Sequence, residues 1–208
     1  MNNVPGTLWI VSAPSGGGKT SLVRELVRRM DDVVVSVSHT TRAPRPNEVD
    51  AVDYFFVDEL TFNQQVKAGD FVEHASVFNH FYGTSHAQIN SRLDAGMDVV
   101  LDIDWQGAKQ IKMVLPRAKS IFILPPGLDV LQKRLQGRKQ DDNQTIMHRM
   151  QRATAELSHF SEFDYLIVND LFDRAADDLV AIVRADRLRQ ARHAFKQQKL
   201  LSFLLSKQ

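Results

Sequence analysis

Leu8 to Val11 form an unbroken apolar run that meets a glycine cluster, Gly16 to Gly18. Beyond it Leu22, Val23, Leu26, Val27 and Met30 recur at helical spacing, with Arg24, Glu25, Arg28 and Arg29 between them. This predicts a strand, a tight turn and an amphipathic helix. Val33 to Val37 is β-branched and predicts a second strand. The character then changes: residues 38–56 are polar, interrupted by Pro44 and Pro46, and end in aromatics. Leu60 to Lys67 predicts a short helix stopped by Gly69, and Phe71 to Phe81 alternates around Asn79-His80 like a hairpin. From Ser85 the alternation of strand and helix resumes. Helices are predicted over 85–95, 106–114, 128–135, 146–160 and 172–194, and strands over 99–104, 120–124 and 165–168. Strands alternating with helices imply an α/β fold, a parallel sheet flanked by helices on both faces. The reading divides the chain into a core (1–36 and 96–208) and an inserted mixed α+β lobe (37–95), with a very polar stretch at about 136–148.

Composition narrows the class only modestly. The chain has 208 residues, 43% hydrophobic and 25% charged, with a formal net charge of +1. No global field argues for nucleic acid or a membrane surface as partner. The absence of cysteine excludes disulfides and thiolate zinc sites and fits a cytoplasmic protein. No apolar run reaches the ~20 residues of a membrane span, and the N-terminus lacks the charge and apolar core of a signal peptide.

The glycine cluster carries the strongest chemistry. Ala13, Pro14, Ser15, Gly16, Gly17, Gly18, Lys19, Thr20 and Ser21 follow the pattern G-x-x-x-x-G-K-[ST], with Ala13 at the first glycine position. Such a loop turns backbone N–H groups inward around an anion, and the following helix adds its N-terminal partial charge. Lys19 is placed to reach the β/γ-phosphates of a nucleotide, and the Thr20 hydroxyl to ligate Mg²⁺. Asp102 and Asp104 end an apolar strand at i and i+2, hence on one face. Two carboxylates at the sheet's C-terminal edge suit Mg²⁺ beside a triphosphate. Arg42 and Arg45 lie in an irregular proline-bearing segment, with Arg134, Arg138 and Arg149 far downstream. Guanidinium groups bind phosphate oxygens bidentately, and moving a phosphoryl group between two anions requires such neutralisation.

These motifs, taken in order, resemble the guanylate kinase family: APSGGGKTS, SVSHTTRAPRPNEVDAVDYFF, FVEHASVFNHFYGTS, LDIDWQG, LQGR and IVND, spanning roughly 7–190. The resemblance implies a phosphate-loop core, a GMP-binding lobe and a small lid, with ATP, Mg²⁺ and GMP as ligands. It puts Ser38 in the part of the lobe that holds GMP, Arg42, Arg45, Tyr54 and Tyr82 on the GMP phosphate, and Glu73 and Thr84 on guanine. A carboxylate at position 73 would accept from the adjacent N1–H and 2-amino donors that adenine lacks. Asp104 matches a GMP-site acid, Asp102 an acid near the metal, Asn169 the adenine side, and Arg138 and Arg149 the lid arginines. The transfer groups implied are Lys19, Arg42, Asp102, Arg138 and Arg149. His39 has no assignable role within the motif, and Lys139 and Gln140 depart from the lid pattern.

Two other readings compete. A related phosphate-loop kinase could act on a ribose phosphate or another nucleotide, and guanylate-kinase-like domains also serve as non-enzymatic binding modules. His74, His80 and His86 are spaced by six, which matches no common zinc pattern. Trp9 reads as core, and Trp105 as packing beneath the acidic strand. Residues 184–208 hold seven basic residues against Asp186 and end in a Leu-rich stretch. This tail is expected to pack as a helix on its own domain or on a second copy, as a homo-oligomer contact.

Overall fold

The computed structural model describes residues 4–77, 79–136 and 143–206. The chain begins with β1 (Leu8–Ser12), α1 (Lys19–Arg29) and β2 (Val33–Val35). It continues through β3 (His39–Thr40), β4 (Phe55–Phe56), α2 (Glu59–Ala68), β5 (Phe71–Val77), β6 (His80–Ser85) and α3 (His86–Asp94). Then follow β7 (Asp98–Asp102), α4 (Trp105–Val114), β8 (Lys119–Leu124), α5 (Leu128–Gln136), α6 (Asn143–Leu157) and β9 (Tyr165–Val168). Three helices close the described chain: α7 (Phe172–Arg187), α8 (Gln190–Lys196) and α9 (Gln198–Leu205).

Five strands form one sheet in the order β2-β7-β1-β8-β9, every pair parallel. Strand alternation decides which helices it carries. Trp9 and Val11 face one apolar layer with Leu22, Val23 and Leu26 of α1 and Leu179 and Val183 of α7. Leu8 and Ile10 face the other, with Ile89 of α3 and Ala108 and Ile111 of α4. Because β1 lies between β7 and β8, the chain leaves it to one side for β2 and crosses to the other only after β7. Such a switch point opens a crevice beyond the C-terminal strand ends, and there the phosphate loop and Asp102 meet.

A second sheet, β4-β3-β6-β5, is mixed: β3 pairs parallel with β4, and β6 pairs antiparallel with β3 and β5. His39, without a role in the sequence reading, is a packing residue here. Its ring stacks on Phe55 at 4.7 Å and meets the edge of Phe71 at 5.2 Å, and burial lowers its pKa. This sheet is fastened to the core through α4: the Gln110 side chain accepts from His74 N–H (3.1 Å) and donates to His74 C=O (3.0 Å).

The expected helix over 172–194 is instead broken after Arg187. Buried Asp186 accepts from the Thr7 hydroxyl at 2.7 Å and pairs with Lys119 and with Arg192 at 3.2 Å. Buried Asp98 takes Arg187 at 2.7 Å and Arg192 at 2.6 Å. For Arg192 to reach these carboxylates the chain must turn back, which a continued helix would prevent. The strand expected over 99–104 also stops early. It ends at Asp102, and Asp104 is the N-cap of α4, its carboxylate accepting from Gly107 N–H at 2.9 Å.

Candidate active site

The phosphate loop sits between β1 and α1. Gly18 caps the helix in the left-handed region at φ 93°, and a Cβ there would lie 2.4 Å from Asn169 Nδ2. That contact reflects a brace, because Asn169 Nδ2 donates to Gly17 C=O at 2.9 Å and Arg134 donates to Asn169 C=O at 3.0 Å. Asn169 and Arg134 thus join the loop from β9 and α5. Gly17 N–H donates to Pro14 C=O at 2.8 Å, and Ser15 N–H to Glu156 Oε2 at 2.9 Å. Ala13 is accommodated because Gly17 stands opposite: a Cβ on Gly17 would lie 2.9 Å from that of Ala13. The first bond into α1 is Leu22 N–H to Gly18 C=O. The earlier amides of Lys19, Thr20 and Ser21 therefore stand at the helix mouth as anion donors.

Lys19 reaches across to the β7 end. Its ammonium lies 2.8 Å from Asp102 Oδ1 and donates to Ile103 C=O at 2.7 Å. The Thr20 hydroxyl donates to the other Asp102 oxygen at 2.7 Å. Lys19, Thr20 and Asp102 are therefore one compact cluster of hard oxygen donors beside a fixed cation.

Across from this cluster opens a cleft of about 660 Å³. Thr20, Ser21 and Asp102 line it from the core, and Ser38, Arg45 and Tyr54 from the second sheet's lobe. Arg42 lies behind Tyr54, its guanidinium carbon 5.3 Å from the ring centre. It donates to both Glu48 oxygens, at 2.8 and 2.9 Å, and to Ala43 C=O at 2.7 Å. Glu48 also accepts from Arg45 N–H at 2.7 Å. Burial pushes the Glu48 carboxyl up, but these two partners hold it below the usual range. The Tyr82 ring meets Tyr54 edge-on at 6.0 Å, and burial together with nearby Asp102 raises the Tyr54 phenol.

Glu73 is the most perturbed acid near this region. It is only 4% exposed and faces Thr84 across the β5–β6 ladder, where the Thr84 hydroxyl donates to Glu73 Oε1. Burial, with Asp104 close by, raises its pKa to about 7 against the lowering effect of Thr84 and Lys19. Arg149 is carried on α6, away from the lining of the cleft. Arg138, Lys139 and Gln140 lie outside the described residues, as do the other positions of 137–142 in the stretch expected to form the lid.

The guanylate kinase family model matches residues 6–186. The chain is 60% identical over 203 residues to guanylate kinase of Legionella pneumophila (strain Lens), covering 98% of this chain and 97% of that one. The chain belongs to the guanylate kinase family. Guanylate kinase of Escherichia coli (strain K12) is 53% identical over 203 residues, with 97% and 98% of the two chains covered. The crystal structure of guanylate kinase from Anaplasma phagocytophilum matches with a TM-score of 0.76 at 34% identity, over 92% of each chain.

Within this guanylate kinase fold, three residues near the site were not singled out in the sequence. Glu48 organises Arg42 and Arg45 from an irregular loop, where no periodicity points to it. Gly107 does carry a signal, a glycine inside a helical pattern, which often marks a close approach. A Cβ there would lie 2.9 Å from Glu73 Oε2, so only glycine lets α4 approach that carboxylate. Glu156 lies seven residues, two helical turns, beyond Arg149, a spacing that returns to the same face of α6.

Proposed function

We propose the following division of labour for the guanylate kinase reaction, in which the γ-phosphate of ATP passes to GMP and leaves ADP and GDP. The phosphate loop and the first amides of α1 bind the ATP phosphates, and Lys19 neutralises charge on the transferred group. Ser38, Arg42, Arg45, Tyr54 and Tyr82 hold GMP, the last four by its phosphate. Glu73 and Thr84 read guanine, and Asp104 serves the same side. Asn169 and Arg134 shape the adenine side, and Arg138 and Arg149 add charge from the lid. The observation that carries this reading is the shared cleft: the phosphate-loop residues Thr20 and Ser21 and the lobe residues Ser38, Arg45 and Tyr54 line one cavity. Two anions held across it can meet in line, so no covalent enzyme intermediate is needed.

The donor set fits Mg²⁺. Thr20 and Asp102 present hydroxyl and carboxylate oxygens at the end of β7, and hard oxygen donors are what that ion takes. Thr20 and Asp102 would hold it, and it would supply charge neutralisation to the ATP phosphates. Closure of the lobe over the core would exclude water, the competing acceptor.

A coupled ADP-release assay with ATP against GMP, dGMP, AMP, UMP and ribose phosphates tests the assignment. GMP and dGMP are expected to turn over. AMP and UMP, lacking guanine's paired donors, should fall by at least about a hundredfold in kcat/KM. Equal turnover of AMP would remove the base-reading role of Glu73. Turnover with none of them would favour the binding-module reading.

We also propose that the C-terminal helices carry a homo-oligomer contact. Supporting this, α9 leaves Leu200, Phe203, Leu204 and Leu205 exposed. A truncation must spare Asp186 and Arg192, which hold the base of the sheet. A chain ending at Gln197 is therefore expected to sediment at a lower mass than the full chain with an unchanged melting temperature. An unchanged mass would sink the contact.

A further inference from the structure

Glu156 is a carboxylate placed where phosphates are expected, and the reaction chemistry does not use it. Its Oε2 accepts the Ser15 N–H at 2.9 Å, a bond between residues 141 positions apart in sequence. Burial raises its pKa, against the lowering effect of that amide and of the Arg152 and Lys19 charges. A negative charge within reach of Lys19 opposes anion binding at the loop. Its retention there calls for a compensating role, and the surrounding packing supplies one.

The C-terminal part of α6 and the turn after it are held at three points. Ala153 is fully buried. One turn past Glu156, the His159 ring lies flat on Trp105, the first residue of α4 after Asp104, with centroids 3.5 Å apart and planes 9° apart. Between these two, Glu156 reaches the phosphate loop. Within the loop, the first limb is pinned by two bonds, Gly17 N–H to Pro14 C=O and Ser15 N–H to Glu156. Pro14 has no N–H to give. With the Ser15 and Gly17 amides committed to protein acceptors, those of Gly16 and of Gly18 through Ser21 are left to converge on an anion.

We propose that Glu156 is a positioning residue that ties helix α6 to the phosphate loop. Its carboxylate fixes the loop's first limb. Through the same bond it sets the rotation of α6 against the loop, and so the side from which Arg149, two turns earlier on that face, approaches. Charge acts in both senses here, strengthening the bond to the Ser15 amide and opposing the anion beside Lys19, so the tie depends on the reach of the acceptor oxygen. The inference rests on the assignment of the loop to ATP.

Three full-length variants separate reach from charge. Glu156→Gln keeps the length and an oxygen acceptor but loses the charge. Glu156→Asp keeps the charge and falls one methylene short. Glu156→Ala loses both. The expected order for kcat/KM with ATP is wild type and Gln close together, with Asp and Ala lower by about tenfold or more, the worth of a bond to a charged acceptor. KM for GMP should stay within about twofold, because no GMP contact is touched. The Ser15 amide proton should move upfield in the Asp and Ala variants and hold its position in Gln, by ¹⁵N–¹H correlation of the free enzyme. Wild-type or improved ATP kinetics in Glu156→Ala, a retained Asp with an impaired Gln, or a KM for GMP raised as much as that for ATP would each overturn the tie. The amide shift needs no turnover, so it stands apart from the ATP assignment. That assignment fails separately if Lys19→Ala keeps its activity.

Discussion

Lys19→Ala is expected to leave a folded protein with kcat reduced by about a thousandfold, the scale seen when one preorganised charge-stabilising donor is removed. The ammonium lies at the junction of both halves of the site, 2.8 Å from Asp102 and 2.7 Å from Ile103 C=O. In the resting enzyme it offsets the Asp102 charge. In the proposed division of labour it stands during transfer at the helix mouth where the loop amides converge, and there it would meet charge that develops on the moving phosphoryl group. An interaction that strengthens toward the transition state appears in kcat, whereas one equal in both states appears only in KM. The loss should therefore fall mainly on kcat, with KM for GMP little changed. Folding should survive, because the loop is braced independently by Asn169 on Gly17 and by Glu156 on Ser15. A melting curve close to wild type would certify that the loss is chemical. Near-normal turnover would overturn the assignment of Lys19.

What the chain discloses before folding depends on how local each cause is. The strand, loop and helix over 8–29 are legible because every residue type answers to a neighbour: apolar alternation, then glycines, then a helical stripe. The segment of the second sheet is legible as a change of character at residue 38 and as the hairpin around Asn79, whose φ of 63° suits asparagine. The break after Arg187 is not, because its cause is non-local. Asp186 and Arg192 look like helix-surface charges until Thr7, Lys119 and Asp98 are brought beneath them by the sheet. Asp104 shows the same limit on a smaller scale. Strand alternation puts it beside Asp102, yet its carboxylate starts a helix, and the two acids serve different neighbours. Glu156 is the extreme case. Its partner is a backbone amide in a distant loop, and a backbone N–H leaves no trace in side-chain patterning. Glu48 was hidden differently, since a loop has no period for a pattern to break. The site residues read most directly were those fixed by a motif. Those missed act on the motif residues from behind.

The pH dependence of GMP use should single out Glu73. To accept from two guanine donors its carboxyl must be ionised, and burial holds its pKa at about 7. Below that value the competent fraction falls by a factor of ten per pH unit, so KM for GMP should rise by about tenfold between pH 8 and pH 6. KM for ATP should not follow. In Glu73→Gln the titrating group is gone, so KM for GMP should be high and free of this step. GMP's own phosphate ionisation is common to both proteins and cancels in the comparison. Stability should move in the opposite sense. The folded pKa lies above the ordinary value of 4.5, so the folded state binds the proton more tightly than the unfolded chain does. The resulting stabilisation is complete below about pH 4.5 and is lost as pH rises through about 7. The glutamine variant pays no such cost. It should match wild type near pH 4 and exceed it at pH 8 by up to about 3 kcal/mol, the linkage equivalent of the shift. Weaker GMP binding with greater stability at pH 8 is the pattern of a buried charge kept for recognition rather than for folding. Superimposable KM profiles for the two proteins would show that Glu73 does not read the base, whatever its effect on the melting temperature.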